Sequence, residues 1–204
     1  MKIVSVWNPK GGQGKTMLSI NIAAAAVELD LKPLVICRDP QGTATLYSNA
    51  GNLPYPVIQQ IPQEAPDVDL VIFDHPAEDW NVPPAKLLVM PVIPRRDQYA
   101  TYVEAFEKAS AAGKEIITVV TGGDTRRTSE RRIVQALRQR GAFVIKDSSA
   151  IVNAAEGYLH VFHPTLNREY EINERRGEFQ AILSAVLRDV NKKHEEVKHV
   201  AQAG

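Results

Sequence analysis

This chain of 204 residues contains one cysteine, Cys37, and carries a formal net charge of zero. A lone cysteine excludes a disulfide framework within the chain and fits a reducing, cytoplasmic setting. Balanced charge removes the global field that would draw the whole molecule to nucleic acid or to a membrane surface. No apolar run approaches the length of a membrane span. Internal repeats and low-complexity tracts are also missing. The N-terminus reads as a core strand, not as a signal peptide. The length suits one domain, residues 1–204, with a sizeable core.

What is present is concentrated near the start. Asn8-Pro9-Lys10-Gly11-Gly12-Gln13-Gly14-Lys15-Thr16 follows the apolar run Ile3 to Trp7 and precedes a helical pattern from Met17 to Ala26. Strand, glycine-rich turn, Gly-Lys-Thr and helix form the context of a phosphate-binding loop. Gly11, Gly12 and Gly14 let the backbone curl its N–H groups toward phosphate oxygens. The helix N-terminus adds partial positive charge. Lys15 is expected to reach the β/γ-phosphates and the Thr16 hydroxyl to ligate Mg²⁺. The expected nucleotide contacts from this motif are Gly11, Gly12, Gln13, Gly14, Lys15, Thr16 and Met17; the resemblance set out below adds Lys10 and implies that the nucleotide is ATP, bound with Mg²⁺.

Apolar strands alternate with helical patterns beyond this point. Strands are expected at 33–37, 70–74, 86–93, 115–121 and 142–145, and helices at 98–112, 129–140 and about 173–200. The strand runs are apolar without alternation, as in strands covered on both faces. The implied fold is α/β: a doubly wound, mostly parallel sheet with helices on both faces and its ligand at the C-terminal strand ends. The proline-rich stretch 52–67 reads as a short irregular connection. Asp74, closing the strand Leu70-Val71-Ile72-Phe73, has the Walker B pattern and is a candidate Mg²⁺ ligand. His75 reads as a loop residue rather than an acid–base catalyst.

Lys10-Gly11-Gly12-Gln13-Gly14-Lys15-Thr16 resembles the deviant P-loop of the ParA/MinD family of ATPases. The resemblance implies that Lys10 reaches the nucleotide of a second subunit in an ATP-dependent sandwich homodimer. Cys37-Arg38-Asp39-Pro40-Gln41-Gly42-Thr43-Ala44-Thr45 resembles the family's switch I, with Cys37 in place of its first aspartate. Asp39 inherits the role of positioning the attacking water and is also a candidate metal-site residue. Lys10, Lys15 and Asp39 are thus the expected catalytic set. Cys37 alone cannot supply two cluster ligands per subunit, unlike the related nitrogenase iron proteins. An adenine pocket is expected near Thr121 and Lys146.

Arginines are unevenly placed. Arg126, Arg127, Arg131 and Arg132 crowd one stretch; Arg168, Arg175, Arg176 and Arg188 follow. By resemblance these are the expected contacts to non-specific DNA, carried on later helices away from the nucleotide loops. The same resemblance implies a small adaptor or centromere-binding partner that stimulates slow hydrolysis, and a cytoplasmic, nucleoid-associated protein that segregates or positions a cargo. The C-terminal end lacks the bulky apolar residues of a membrane-targeting helix. The absence of an extension before Met1 fits the short ParA type. Other readings are a conjugation-associated positioning ATPase, a metabolic synthetase, and a nucleotide-dependent scaffold that does not hydrolyse.

Overall fold

The computed structural model describes residues 1–122 and 127–188. Seven parallel strands form one sheet: β1 (Lys2–Val6), β2 (Pro33–Cys37), β3 (Val57–Ile58), β4 (Leu70–Asp74), β5 (Leu87–Val92), β6 (Glu115–Val120) and β7 (Phe143–Val144). Their spatial order is β3-β2-β4-β1-β5-β6-β7. The helices are α1 (Lys15–Val27), α2 (Thr43–Asn49), α3 (Arg96–Ala111), α4 (Thr128–Gln139), α5 (Ser149–Glu156) and α6 (Ile172–Leu187). The stretch 52–67 differs from expectation, because it contains the two-residue edge strand β3, paired with Val35 and Ile36 of β2. The rest of the expected C-terminal helix, from residue 189 on, lies outside the described residues.

The strand sequences are apolar on both sides because both faces are covered. Val4, Val6, Val35, Leu70, Ile72 and Val89 point to the layer formed by α1, α5 and α6. Leu88, Met90, Val92 and Val120 point the other way, onto α3 and α4. Helix α1 lies between the sheet and α6, so it is apolar around most of its surface. Its Ala23-Ala24-Ala25-Ala26 run is fully buried in the cluster that holds Phe179, Ile182 and Leu183 of α6. Small side chains there let two helices and a sheet meet without voids.

One proline sits in a central strand, where it would normally forfeit a ladder bond. At Pro91 the neighbouring strand has already left: the β1–β5 register ends at Val6 opposite Val89. The Pro91 carbonyl faces the vacated edge and accepts a hydrogen bond from Asn8 Nδ2 at 2.7 Å. The position that tolerates proline is thus the one beside which β1 becomes the glycine-rich loop.

Candidate nucleotide site

The loop 8–15 leaves the C-terminal end of β1, at the centre of the sheet, and enters α1. Gly14 caps the helix with φ 83° and Gly12 has φ 71°, both in the region that favours glycine. A Cβ on Gly14 would also approach Met17 Cε to 3.2 Å. The loop is tied down at both flanks. The Lys10 N–H donates to Asn8 Oδ1 at 2.8 Å. Gln13 is fully buried; its Oε1 accepts from the Ile93 N–H at 2.8 Å and its Nε2 donates to Gln98 Oε1. The Gln13 carbonyl accepts from the Thr121 hydroxyl at 2.8 Å. With its side chain engaged by Ile93 and Gln98, Gln13 would meet a nucleotide through its main chain.

Under the loop, two hydroxyls of α1 converge on Asp74 at the end of β4. Thr16 Oγ1 donates to Asp74 Oδ2 at 2.8 Å, and Ser19 Oγ lies 3.0 Å from Asp74 Oδ1. Thr16 and Ser19 are three apart on α1 and therefore share a face. Ser19 was missed in the sequence; its spacing from Thr16 is the signal that marks it. Burial pushes the Asp74 carboxyl up to about 6, against the opposing pull of those two bonds and of the Lys15 charge. Burial also lowers Lys15 from its ordinary value, with Asp74 and then Asp39 opposing. Its ammonium donates to the Lys10 carbonyl at 3.1 Å.

Asp39 stands on the loop after β2, partly exposed, where its Oδ1 accepts from the Gln41 N–H at 2.9 Å. The two loops that flank the site are joined through main chain: the Arg38 N–H donates to the Asp74 carbonyl at 2.8 Å. Cys37 is buried and opposite Asp74 in the β2–β4 register. A second carboxylate there would sit beside Asp74 in a low-dielectric environment, whereas a thiol adds no charge. His75 shares a 3.0 Å hydrogen bond with Ser5 Oγ and is pushed down to about 4, chiefly by burial. A ring held neutral in this way suits a structural role.

The donor set fits the implied ligands. Thr16 and Asp74 offer adjacent hard oxygens, the chemistry that Mg²⁺ selects. The open side of Gly12, where a Cβ would meet nothing within 4 Å, leaves room above the loop. Thr121 lies against the loop, and Lys146, whose N–H is bonded to Glu178, is exposed at the end of β7.

The arginine expectation needs correction. Arg175 is fully buried, its Nη1 donating to the Lys146 carbonyl at 3.1 Å and lying 3.1 Å from Glu178, so it cannot touch DNA. Arg176 is turned inward onto the carbonyls of Val161 and His163 and onto Asn167 Oδ1. Arg127 pairs with the buried Glu130 at 3.2 Å. Arg131, Arg132, Arg168 and Arg188 are exposed, and Arg126 lies outside the described residues. The two stretches also do not share one surface: α4 packs on one face of the sheet and α6 on the other. Helix α4 begins at Thr128, shortly after Thr121 beside the loop, so Arg131 and Arg132 are not remote from the nucleotide end.

Comparison with known proteins follows this geometry. A family model described as an AAA domain matches residues 1–92. The maintenance of carboxysome distribution protein A of Gloeobacter kilaueensis is 29% identical over 157 residues, covering 69% of this chain and 72% of that protein. The sporulation initiation inhibitor protein Soj of Bacillus subtilis is 30% identical over 150 residues, covering 72% of this chain but 49% of that protein. Among solved structures, the MinD cell division protein of Aquifex aeolicus matches with a TM-score of 0.68 at 16% identity, over 91% of this chain and 98% of that one. An ATP complex of McdA from Cyanothece matches with a TM-score of 0.67 at 13% identity, over 92% of this chain and 96% of that one.

Proposed function

We propose that this chain, which is similar in sequence to the carboxysome distribution protein and to Soj and in fold to MinD, is a positioning ATPase of the ParA/MinD kind that closes into a homodimer around ATP and opens after hydrolysis. The observation that carries this reading is the paired arrangement of Thr16, Ser19 and Asp74 beneath a loop with two lysines. In this reading the loop N–H groups and the Lys15 ammonium hold the β/γ-phosphates. Thr16 and Asp74 would hold Mg²⁺, which when bound would supply positive charge to the phosphate oxygens. Asp39 orients the attacking water. Lys10, whose own N–H and carbonyl are engaged inside the loop, keeps its side chain for the second subunit. The relative named for carboxysome distribution supports a cargo-positioning role; a partner that stimulates slow turnover completes the proposed cycle. Non-specific DNA is the proposed track, contacted first through Arg131 and Arg132.

Light scattering with a slowly hydrolysed ATP analogue tests the dimer. Wild-type protein is expected to double its mass with the analogue and to stay monomeric with ADP. Lys10→Ala is expected to bind the analogue with near-unchanged affinity and to remain monomeric. A variant that dimerises normally returns Lys10 to an ordinary solvated lysine and removes the sandwich dimer.

A further inference from the structure

The face of the sheet that carries α3 and α4 is covered unevenly. Helix α3 packs on β5 and β6 and α4 on β6 and β7. Farther along the same face Leu34, Ile36 and Val71 form a separate small cluster, flanked by Ile58, Val68 and Phe73 from strands and a loop. Between these two regions is an open cavity of about 440 Å³. Its lining includes Ile3 and Ser5 of β1, Phe73 of β4, His75, Arg38 and Ile61. Ile3 is 42% and Ile61 56% exposed, so the apolar surface continues past the cavity mouth.

We propose that this cavity is the docking site for a segment of a partner protein that combines apolar side chains with a carboxylate. The charge argument comes first. Arg38 is exposed, and among the described residues no acidic side chain lines the cavity with it. An apolar segment alone would leave that guanidinium at the rim of a dry contact, whereas a carboxylate pairs with it. A second copy of the chain is a poor occupant: an isologous contact centred here would set one Arg38 against another with no carboxylate between them. A small molecule would fill the cavity but leave the exposed flanks of Ile3 and Ile61 uncovered. A protein segment covers both.

The position of the cavity links it to the nucleotide site. Arg38 precedes Asp39, and His75 follows Asp74. The Arg38 N–H to Asp74 carbonyl bond joins the two segments. The His75 N–H is bonded to the Val6 carbonyl at 3.2 Å and its ring to Ser5. A segment pressing on Arg38 and His75 therefore acts one residue away from both carboxylates of the site. This deepens the partner-stimulated reading above and rests on it for its purpose, though not for the binding itself.

A displayed library of random 12-residue peptides, selected on the wild-type protein, provides the probe. The enriched sequence, made as a fluorescein-labelled synthetic peptide, is titrated by anisotropy against wild type, Ile61→Asp and Arg38→Glu. Both substituted residues are exposed, and circular dichroism checks that the variants fold. The expected result is a peptide carrying Asp or Glu with at least two large apolar residues, whose affinity falls about tenfold or more in each variant. Basal ATPase turnover of Ile61→Asp should match wild type. Failure to enrich any peptide, or undiminished binding to both variants, overturns the proposal. So does a loss of self-association in Ile61→Asp by sedimentation, which hands the face to a second copy. Peptide binding that the variants abolish, in a protein without ATP turnover, sustains the docking site and refutes the ATPase reading instead.

Discussion

Asp74 shows how one residue's environment can set a site's chemistry. Its carboxylate is buried, yet it has two hydroxyl donors and the Lys15 charge nearby, so the negative form is held ready for a cation rather than neutralised outright. Asp39 differs: it is partly exposed and bonded only locally, to the Gln41 N–H. Asp39→Ala is expected to bind ATP and dimerise but to turn over slower by about 10²–10⁴-fold, the usual loss when a water-orienting group is removed. Single-turnover phosphate release measures this. Near-normal turnover would assign the water to another group. His160 allows a stability test far from that chemistry. Burial, with His163 and Arg176 adding to it, pushes its pKa down to about 4 from 6.5. Above pH 6.5 neither folded nor unfolded chain protonates this ring. As pH falls from 6.5 to 4 the unfolded chain takes a proton that the folded chain refuses, so stability drops, then levels off below 4. The full shift corresponds to about 3 kcal/mol at most, and less after solvent screening. Urea titrations of wild type and His160→Asn at pH 7.5 and 4.5 should show the variant losing less stability between the two. Equal losses would mean that the ring titrates freely.

Among the elements, α1 carries both halves of the molecule: its first turn holds Lys15 and Thr16, and its last turns hold the alanines against α6. Phe179→Ala on α6 should cost about 3–5 kcal/mol, the usual price of emptying a buried aromatic position. Chemical denaturation reads it directly, and a loss below 1 kcal/mol would mean that α6 is not anchored there. Much of this layer was legible in advance. Long unbroken apolar runs marked β1, β2, β4, β5 and β6, and the glycine-rich loop marked the start of α1. What escaped did so for physical reasons. A two-residue strand such as β3 has no period to detect. Helix α5 is short, although Ser148, whose Oγ accepts from the Ile151 N–H at 3.4 Å, was a readable cap. Asn8 and Gln13 make their bonds to residues 80 or more positions away, which local pattern cannot reveal. Arg175 was misread because charge counting does not distinguish a solvated guanidinium from one folded onto Glu178. Thr16 and Asp74 could be expected to meet because each lies beside a strand end, which sequence does record.

At the scale of the whole molecule, net neutrality means that any attraction to DNA must come from local surfaces brought together. If an ATP-closed dimer presents Arg131 and Arg132 twice, roughly four phosphate contacts follow, and log affinity should fall with log salt at a slope of about −4. Mobility shifts on unrelated duplexes, with ATP and with ADP, test this across a salt series. Arg131→Ala with Arg132→Ala is expected to flatten the slope, while Arg168→Ala with Arg188→Ala, on the opposite layer, should leave it nearly intact. The reverse result would move the DNA surface to the α6 side. The ties on the glycine-rich loop, finally, concern information rather than affinity. Asn8 is fastened to β5 and Gln13 to Ile93, Gln98 and Thr121, so the protein itself holds the loop in shape. A part that does not change cannot report what it holds. In the proposed cycle, a difference between ATP and ADP would therefore be carried by the segments at Arg38 and Asp74. Because one hydrogen bond joins them, the molecule speaks to its surroundings with a single voice.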